Sequence, residues 1–304
     1  MTAEALVLAI FGPTASGKSA VAEAIADRVP AEIVSADAMQ AYRGLPILTN
    51  QPERPVRLVG VWPLDHEGSV GEYQRLAHAA IDEILAAGRL PVVAGGTGLY
   101  LRAALADLGL PPAPAPGARA RWERLYEEEG PDRAHAALAG LDPEAAAVVH
   151  PNDRRRVVRA LELAEAGGSL RPKRDRLWGQ ETRLPTVVVG LDVPPETLAE
   201  RIEERTRAMF ERGVEEEVRR ALGRPLSATA RKTLGLEEIA TLPREEAIGA
   251  VAARTRRYAA YQRKWLRRLP GVVSVRADRP AVEVADAILE VARARQRLPA
   301  PRAG

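Results

Sequence analysis

The stretch Gly12-Pro13-Thr14-Ala15-Ser16-Gly17-Lys18-Ser19 constrains this chain more than any other. It matches the pattern G-x-x-x-x-G-K-[ST]. It follows the apolar run Leu6-Val7-Leu8-Ala9-Ile10-Phe11 and precedes Ala20-Val21-Ala22-Glu23-Ala24-Ile25-Ala26. A buried strand, a glycine-bounded loop and a helix with a small-residue face form the context in which that pattern cradles phosphate. Gly12 and Gly17 let the backbone curl so that successive N–H groups point at an anion. The helix N-terminus adds partial positive charge and Lys18 a full one, while the Ser19 hydroxyl can ligate Mg²⁺. These residues predict an α/β fold, a parallel sheet flanked by helices, that holds a diphosphate or triphosphate. They do not say which one, or what is done with it.

The lysine in that loop stands out because only Lys18, Lys173, Lys232 and Lys264 are lysines, among 44 basic side chains. The 304 residues can bury one large core or two smaller ones. No apolar run is long enough to cross a bilayer and no basic-then-apolar leader follows Met1, so a cytoplasmic protein without membrane contact is expected. The absence of cysteine excludes disulfides and thiolate metal sites. Charge is unevenly spread. Residues 1–110 hold 8 basic and 12 acidic side chains, the remainder 36 and 29. From Val251 to Pro270 seven cations (Arg254, Arg256, Arg257, Arg263, Lys264, Arg267, Arg268) occur with no carboxylate. Such a cluster suits a polyanion, or else is a solvated helix face.

Along the chain, Ala31–Asp37 reads as a short strand ending on a carboxylate. In a doubly wound sheet Asp37 then lies beside the cradle, unless it serves as an N-cap before Ala38. Arg57–Trp62 reads as a third strand and Val70–Ala87 as a helix stopped by Gly88. The run Leu90–Ala94 passes into Gly95-Gly96-Thr97-Gly98 rather than the carboxylate that holds Mg²⁺ in motor and switch NTPases. Glycines there let a substrate group or backbone approach closely, and Thr97 offers a neutral hydroxyl. Pro111-Pro112-Ala113-Pro114-Ala115-Pro116 marks a boundary. Helices follow over Arg119–Glu129 and Asp132–Ala139, from Leu141-Asp142-Pro143, and after a cap at Asn152 or Asp153. The sheet resumes at Thr186–Asp192. Helices are expected over Pro195–Arg212, Val214–Leu222 and Arg244–Leu269, with a last strand at Val272–Val275 and a frayed tail from Gln296.

The ordered motifs resemble the tRNA dimethylallyltransferases (tRNA isopentenyltransferases) over about residues 6–269. They are the Gly12–Ser19 loop, Ser35-Ala36-Asp37-Ala38-Met39-Gln40-Ala41-Tyr42-Arg43-Gly44, and Gly95-Gly96-Thr97-Gly98-Leu99-Tyr100-Leu101. Leu141-Asp142-Pro143 and His150-Pro151-Asn152-Asp153 with Arg156 and Arg159–Glu162 come next. Thr255-Arg256-Arg257-Tyr258-Ala259 with Gln262 and Trp265 completes the set. The resemblance implies a P-loop NTPase-like core (1–110 and 186–304) with an inserted all-helical tRNA-binding domain (111–185). It implies transfer of a dimethylallyl group from dimethylallyl diphosphate to N6 of the adenosine 3′ of the anticodon in tRNAs reading UNN codons. Gly12, Pro13, Thr14, Ala15, Ser16, Gly17, Lys18 and Ser19 would grip the diphosphate, with Mg²⁺ on Ser19. Asp37, Thr97, Lys18 and Arg205 would be catalytic, Asp37 as the base. Asp37, Ala38, Met39, Gln40, Thr97, Arg119, Arg155 and Arg156 would contact the anticodon stem-loop of a tRNA flipped open at the target base. A monomer is expected.

The chain departs from the family pattern at Val61-Trp62-Pro63, where two histidines are usual, and at Thr49-Asn50-Gln51-Pro52, Gly235-Leu236-Glu237-Glu238 and Tyr258-Ala259-Ala260-Tyr261-Gln262. The last of these loses two cations. Three other readings stay open on the residues alone: a small-molecule P-loop kinase, a non-catalytic RNA-binding regulator, and a transferase that prenylates free AMP or ATP.

Overall fold

The computed structural model describes residues 6–110, 115, 117–170 and 176–294. The apolar runs become β1 (Val7–Phe11), β2 (Ala31–Ser35), β3 (Leu90–Gly95), β4 (Thr186–Asp192) and β5 (Val273–Arg276). They form one sheet in the order β2-β3-β1-β4-β5, every pairing parallel. Central β1 is paired on both edges, Ile10 opposite Ala94 on one side and Val189 on the other. It is buried throughout, which is why it reads as an unbroken apolar run rather than an alternating one. The loop Gly12–Ser19 leaves its carboxyl end, the edge of an open parallel sheet where ligands bind.

The helix α1 (Lys18–Ala26) starts from Gly17, whose φ of 86° is left-handed. Ser69 caps α2 (Val70–Ala86) by accepting the Glu72 N–H at 3.1 Å. α3 (Gly98–Leu105) continues directly from β3 and Thr97. Arg57–Trp62 is not the strand expected from sequence. Leu58 and Gly60 have φ of 65° and 63°, which turn the chain out of the extended region. Only single bridges survive at the ends, Val34 to Arg57 and Tyr42 to Trp62.

Two compact units result, 1–107 with 178–304, and 108–177. The second holds α4 (Ala118–Glu128), α5 (Pro131–Leu141), α6 (Pro143–Ala146) and α7 (Arg154–Glu165), packed around Ala134, Leu138, Val157 and Leu161. Asp142 caps α6 through the Ala145 N–H, and Asp153, rather than Asn152, caps α7 through the Arg156 N–H. The proline connector lies outside the described residues apart from Ala115, as does the tail from Gln296. Residues 178–185, expected in the insertion, pack with the first unit instead. Trp178 lies on Trp265 with ring centroids 4.6 Å apart, and the Arg183 N–H donates to the Leu105 carbonyl.

The first unit continues with α8 (Pro195–Glu211), α9 (Val214–Leu222), α10 (Leu236–Thr241), α11 (Arg244–Leu266) and α12 (Ala281–Ala294). The helix α12 follows the last expected strand and is additional to the elements expected from sequence. Its Val284, Ala285, Ile288 and Leu289 are buried with Val21 and Ile25 of α1 in the main core. Burying Val284, Ile288 and Leu289 contributes about 1.5–3 kcal/mol each. Arg28 and Asp286 pair at 2.6 Å across the same contact. Among the described residues no helix is long and apolar enough to cross a membrane.

Candidate active site

A cavity of about 800 Å³ opens in the first unit at the carboxyl ends of the strands. Thr14, Ala15, Gly17, Lys18 and Ser19 of the loop face it, whereas buried Gly12, Pro13 and Ser16 lie beneath. A Cβ on Gly12 would sit 2.7 Å from Ser16 Oγ and 3.1 Å from Leu191 Cβ, so glycine there lets the loop fold flat onto β4. Ala15 and Gly17 both have positive φ (63° and 86°). That alternation turns successive amides to one side and makes a concave anion nest.

Lys18 Nζ donates to the Pro13 carbonyl at 2.7 Å. Burial pulls its pKa down to about 8; the Asp37 carboxylate opposes that fall and the Arg205 guanidinium adds to it. Arg205, projected from α8, donates through Nη2 to Thr14 Oγ1 at 2.6 Å, while its Nε is buried without a partner. Burial also lowers the Arg205 pKa, against the pull of Asp37. An unpaired buried donor costs about 1–3 kcal/mol.

Asp37 stands just past β2. Its Oδ1 accepts the Met39 N–H at 3.0 Å, an Asx turn; no helix starts at Ala38, so the N-cap alternative falls away. Thr97 Oγ1 accepts the Ala38 N–H at 3.3 Å and lies 3.5 Å from the Tyr258 hydroxyl. Burial, with Asp37 adding to it, pushes the Tyr258 phenol up to about 12, so it remains a neutral hydroxyl. Gln40 lines the cavity, but its amide is committed. It accepts from Ser35 Oγ at 2.9 Å and donates to the Thr49 and Asn50 carbonyls at 3.3 and 3.0 Å.

Two further residues hold this arrangement. Glu217 is buried, and its two carboxylate oxygens accept the Ile47 and Leu48 N–H groups, each at 2.8 Å. That fixes the turn on which the Gln40 amide rests. Glu217 lies on the apolar face of α9 with Val214, Val218 and Ala221, and a carboxylate on such a face was the available signal. Gln262 of α11 accepts the Thr14 N–H at 2.7 Å and donates to the Gly96 carbonyl at 2.9 Å. It ties the cradle to the loop after β3. The glycines of that loop admit the close approach of protein atoms. A Cβ at Gly95 would strike the Ala36 carbonyl, one at Gly96 the Gln262 amide, and one at Gly98 the Trp265 ring.

The family model described as IPP transferase matches residues 40–269, and one described as Isopentenyl transferase matches residues 5–55. The chain belongs to the IPP transferase family. It is 42% identical over 292 residues to a tRNA dimethylallyltransferase of Thermobifida fusca, covering 90% of this chain and 91% of that one. The full-length tRNA isopentenylpyrophosphate transferase of Bacillus halodurans superposes with TM-score 0.68 at 30% identity, covering 96% of this chain and 98% of that one. A eukaryotic dimethylallyltransferase described as acting on tRNA superposes with TM-score 0.76 at 25% identity, covering 96% of this chain and 80% of that one.

Within this IPP transferase, Lys18, Asp37, Ala38, Met39, Gln40, Thr97 and Arg205 share the cavity, while Arg119, Arg155 and Arg156 belong to the helical unit. Arg155 and Arg156 are exposed on α7. Arg119 pairs with Glu123 at 3.1 Å. Among the described residues no cluster of three or more His, Cys, Asp or Glu could hold a metal. A Mg²⁺ ion still fits the donors present. Ser19 is exposed on the cavity wall with no partner among the described residues, and hard oxygens with substrate phosphates suffice for this ion.

Proposed function

We propose that this chain transfers a dimethylallyl group from dimethylallyl diphosphate to the exocyclic N6 amine of the adenosine 3′ of the anticodon in tRNA. One observation carries the reading: the phosphate nest, a carboxylate and a hydroxyl converge on a single cavity with room for a five-carbon diphosphate and a purine. The family membership supports it and gives no support to the kinase alternative.

In this reading the loop amides, Lys18 and Arg205 hold the diphosphate and stabilise the charge that grows on it as the C1–O bond breaks. The amine nitrogen forms its bond to C1 while the C1–O electron pair leaves with pyrophosphate. The proton shed by nitrogen passes to Asp37. Thr97, held by Ala38 and Tyr258, orients the amine beside Asp37. Mg²⁺, when bound at Ser19 and the phosphates, would add Lewis-acid stabilisation of the leaving group. The protein is read as a cytoplasmic monomer with the anticodon stem-loop of tRNA as its partner.

The test is incorporation of labelled dimethylallyl diphosphate into unmodified tRNA reading UNN codons, with free AMP and ATP as competing acceptors. Label should enter tRNA, and Asp37→Ala should lower turnover roughly 10²- to 10⁴-fold, the scale of a lost general base. Label in free adenylate alone would overturn the tRNA assignment. Normal turnover by Asp37→Ala would overturn Asp37 as the base.

A further inference from the structure

We infer that Tyr261 is a stacking platform for an unpaired nucleobase flanking the one that enters the cavity. The inference rests on the proposed use of a nucleic-acid acceptor. Tyr261 is 54% exposed, a large aromatic ring left in solvent on α11. It is not isolated: its ring stacks on that of Tyr258, centroids 6.4 Å apart and planes 25° apart. Tyr258 is itself a wall of the cavity beside Thr97. The pair therefore runs from the reaction chamber to open solvent, one ring inside and the next at the rim.

The charge around Tyr261 matches a polyanion. Arg257 and Lys264 lie one turn before and one turn after it on the same helix face, and both are exposed. Neither has an ion-pair partner among the described residues, whereas Arg254 and Arg256 are neutralised by Glu238 and Glu203. Arg257 also lines the cavity. An exposed ring between free cations, at the mouth of a pocket, is the arrangement on which single-stranded nucleic acids stack. A base pulled from its stack into the cavity leaves its neighbour without a stacking partner, and Tyr261 presents a face to receive it.

The test compares Tyr261→Ala and Tyr261→Phe with the native chain in steady-state prenyl transfer to an anticodon stem-loop RNA, and in RNA binding by fluorescence anisotropy across a salt series. Stacking predicts that Tyr261→Ala raises the KM and Kd for RNA roughly 5- to 150-fold. It leaves kcat, the KM for dimethylallyl diphosphate and the melting temperature unchanged. The salt slope also stays fixed, because no phosphate contact is lost, and Tyr261→Phe restores native values. Unchanged RNA affinity in Tyr261→Ala, failure of Tyr261→Phe to restore it, or a shallower salt slope would each overturn the assignment alone. Absence of transfer to any RNA by the native chain would overturn the underlying reading instead, and this assignment with it.

Discussion

The Gln262 side-chain carbonyl accepts the Thr14 N–H at 2.7 Å, so a residue near the end of α11 sets the position of an amide in the phosphate nest. The other half of the same amide donates to Gly96. Gln262→Leu keeps the bulk and removes both bonds, leaving a carbonyl and an N–H unpaired at about 1–3 kcal/mol each. The expected result is a melting temperature several degrees lower and weaker binding of dimethylallyl diphosphate, read by thermal denaturation and calorimetry. Native values for both would show that the bridge holds nothing.

Glycines separate into two kinds on the same physical ground. At Gly95 the obstacle is the Ala36 carbonyl, a backbone atom that cannot swing aside, so Gly95→Ala should cost about 3 kcal/mol or fail to fold. Gly249 lies within α11 with nothing near its missing Cβ. Gly249→Ala should therefore stabilise by about 0.5–1 kcal/mol, as expected for alanine in a helix interior. Denaturant unfolding of both variants checks the pair, and equal effects would contradict this account of the loop.

These contacts show where sequence stopped being legible. The cradle, the carboxylate past β2 and the hydroxyl past β3 could be read because each depends on local order: strand, turn, helix. The partners of Gly96 and Gly98 could not, since Gln262 and Trp265 arrive from a helix far along the chain, and that of Gly95 could not because the pairing of β2 with β3 brings Ala36 against it. Arg57–Trp62 misled because its composition suits a strand while Leu58 and Gly60 take left-handed backbone, which hydrophobicity does not report. The missed helix α12 did carry a signal. Val284, Ala285, Ile288, Leu289 and Ala292 recur at helical spacing and are all buried.

Lys18 makes diphosphate affinity depend on pH with a definite sign. Its pKa in the free protein is about 8, below the ordinary lysine value, because burial disfavours its charge. A bound diphosphate favours the charged form, so binding above that pH must take up a proton. Affinity should therefore fall as pH rises through about 8, approaching tenfold per unit above it. Calorimetry at pH ~8.5 in buffers of differing ionisation enthalpy reads the proton directly. Lys18→Arg, which stays charged, should abolish this uptake beyond what the ligand itself titrates. An unchanged proton count in Lys18→Arg would assign the titration elsewhere. The same linkage predicts that the empty protein gains stability as pH rises from about 8 toward the unfolded lysine value, since the unfolded chain then binds the extra proton.

The helical unit offers a separate electrostatic test. Asp153 starts α7 and sends Arg154, Arg155 and Arg156 outward from its first turn. Arg154 is already paired with Glu127, and Arg119 on α4 with Glu123. Arg155 and Arg156 have no carboxylate partner among the described residues, so their charge is available to phosphates. If each neutralises one phosphate, Arg155→Ala and Arg156→Ala should each lower the slope of log K against log salt by about 1. Arg154→Ala should change it less, because its guanidinium must first leave Glu127. Filter binding of tRNA over a salt series measures all three. A slope that responds to Arg154 and not to its two neighbours would place the RNA backbone on another face of α7.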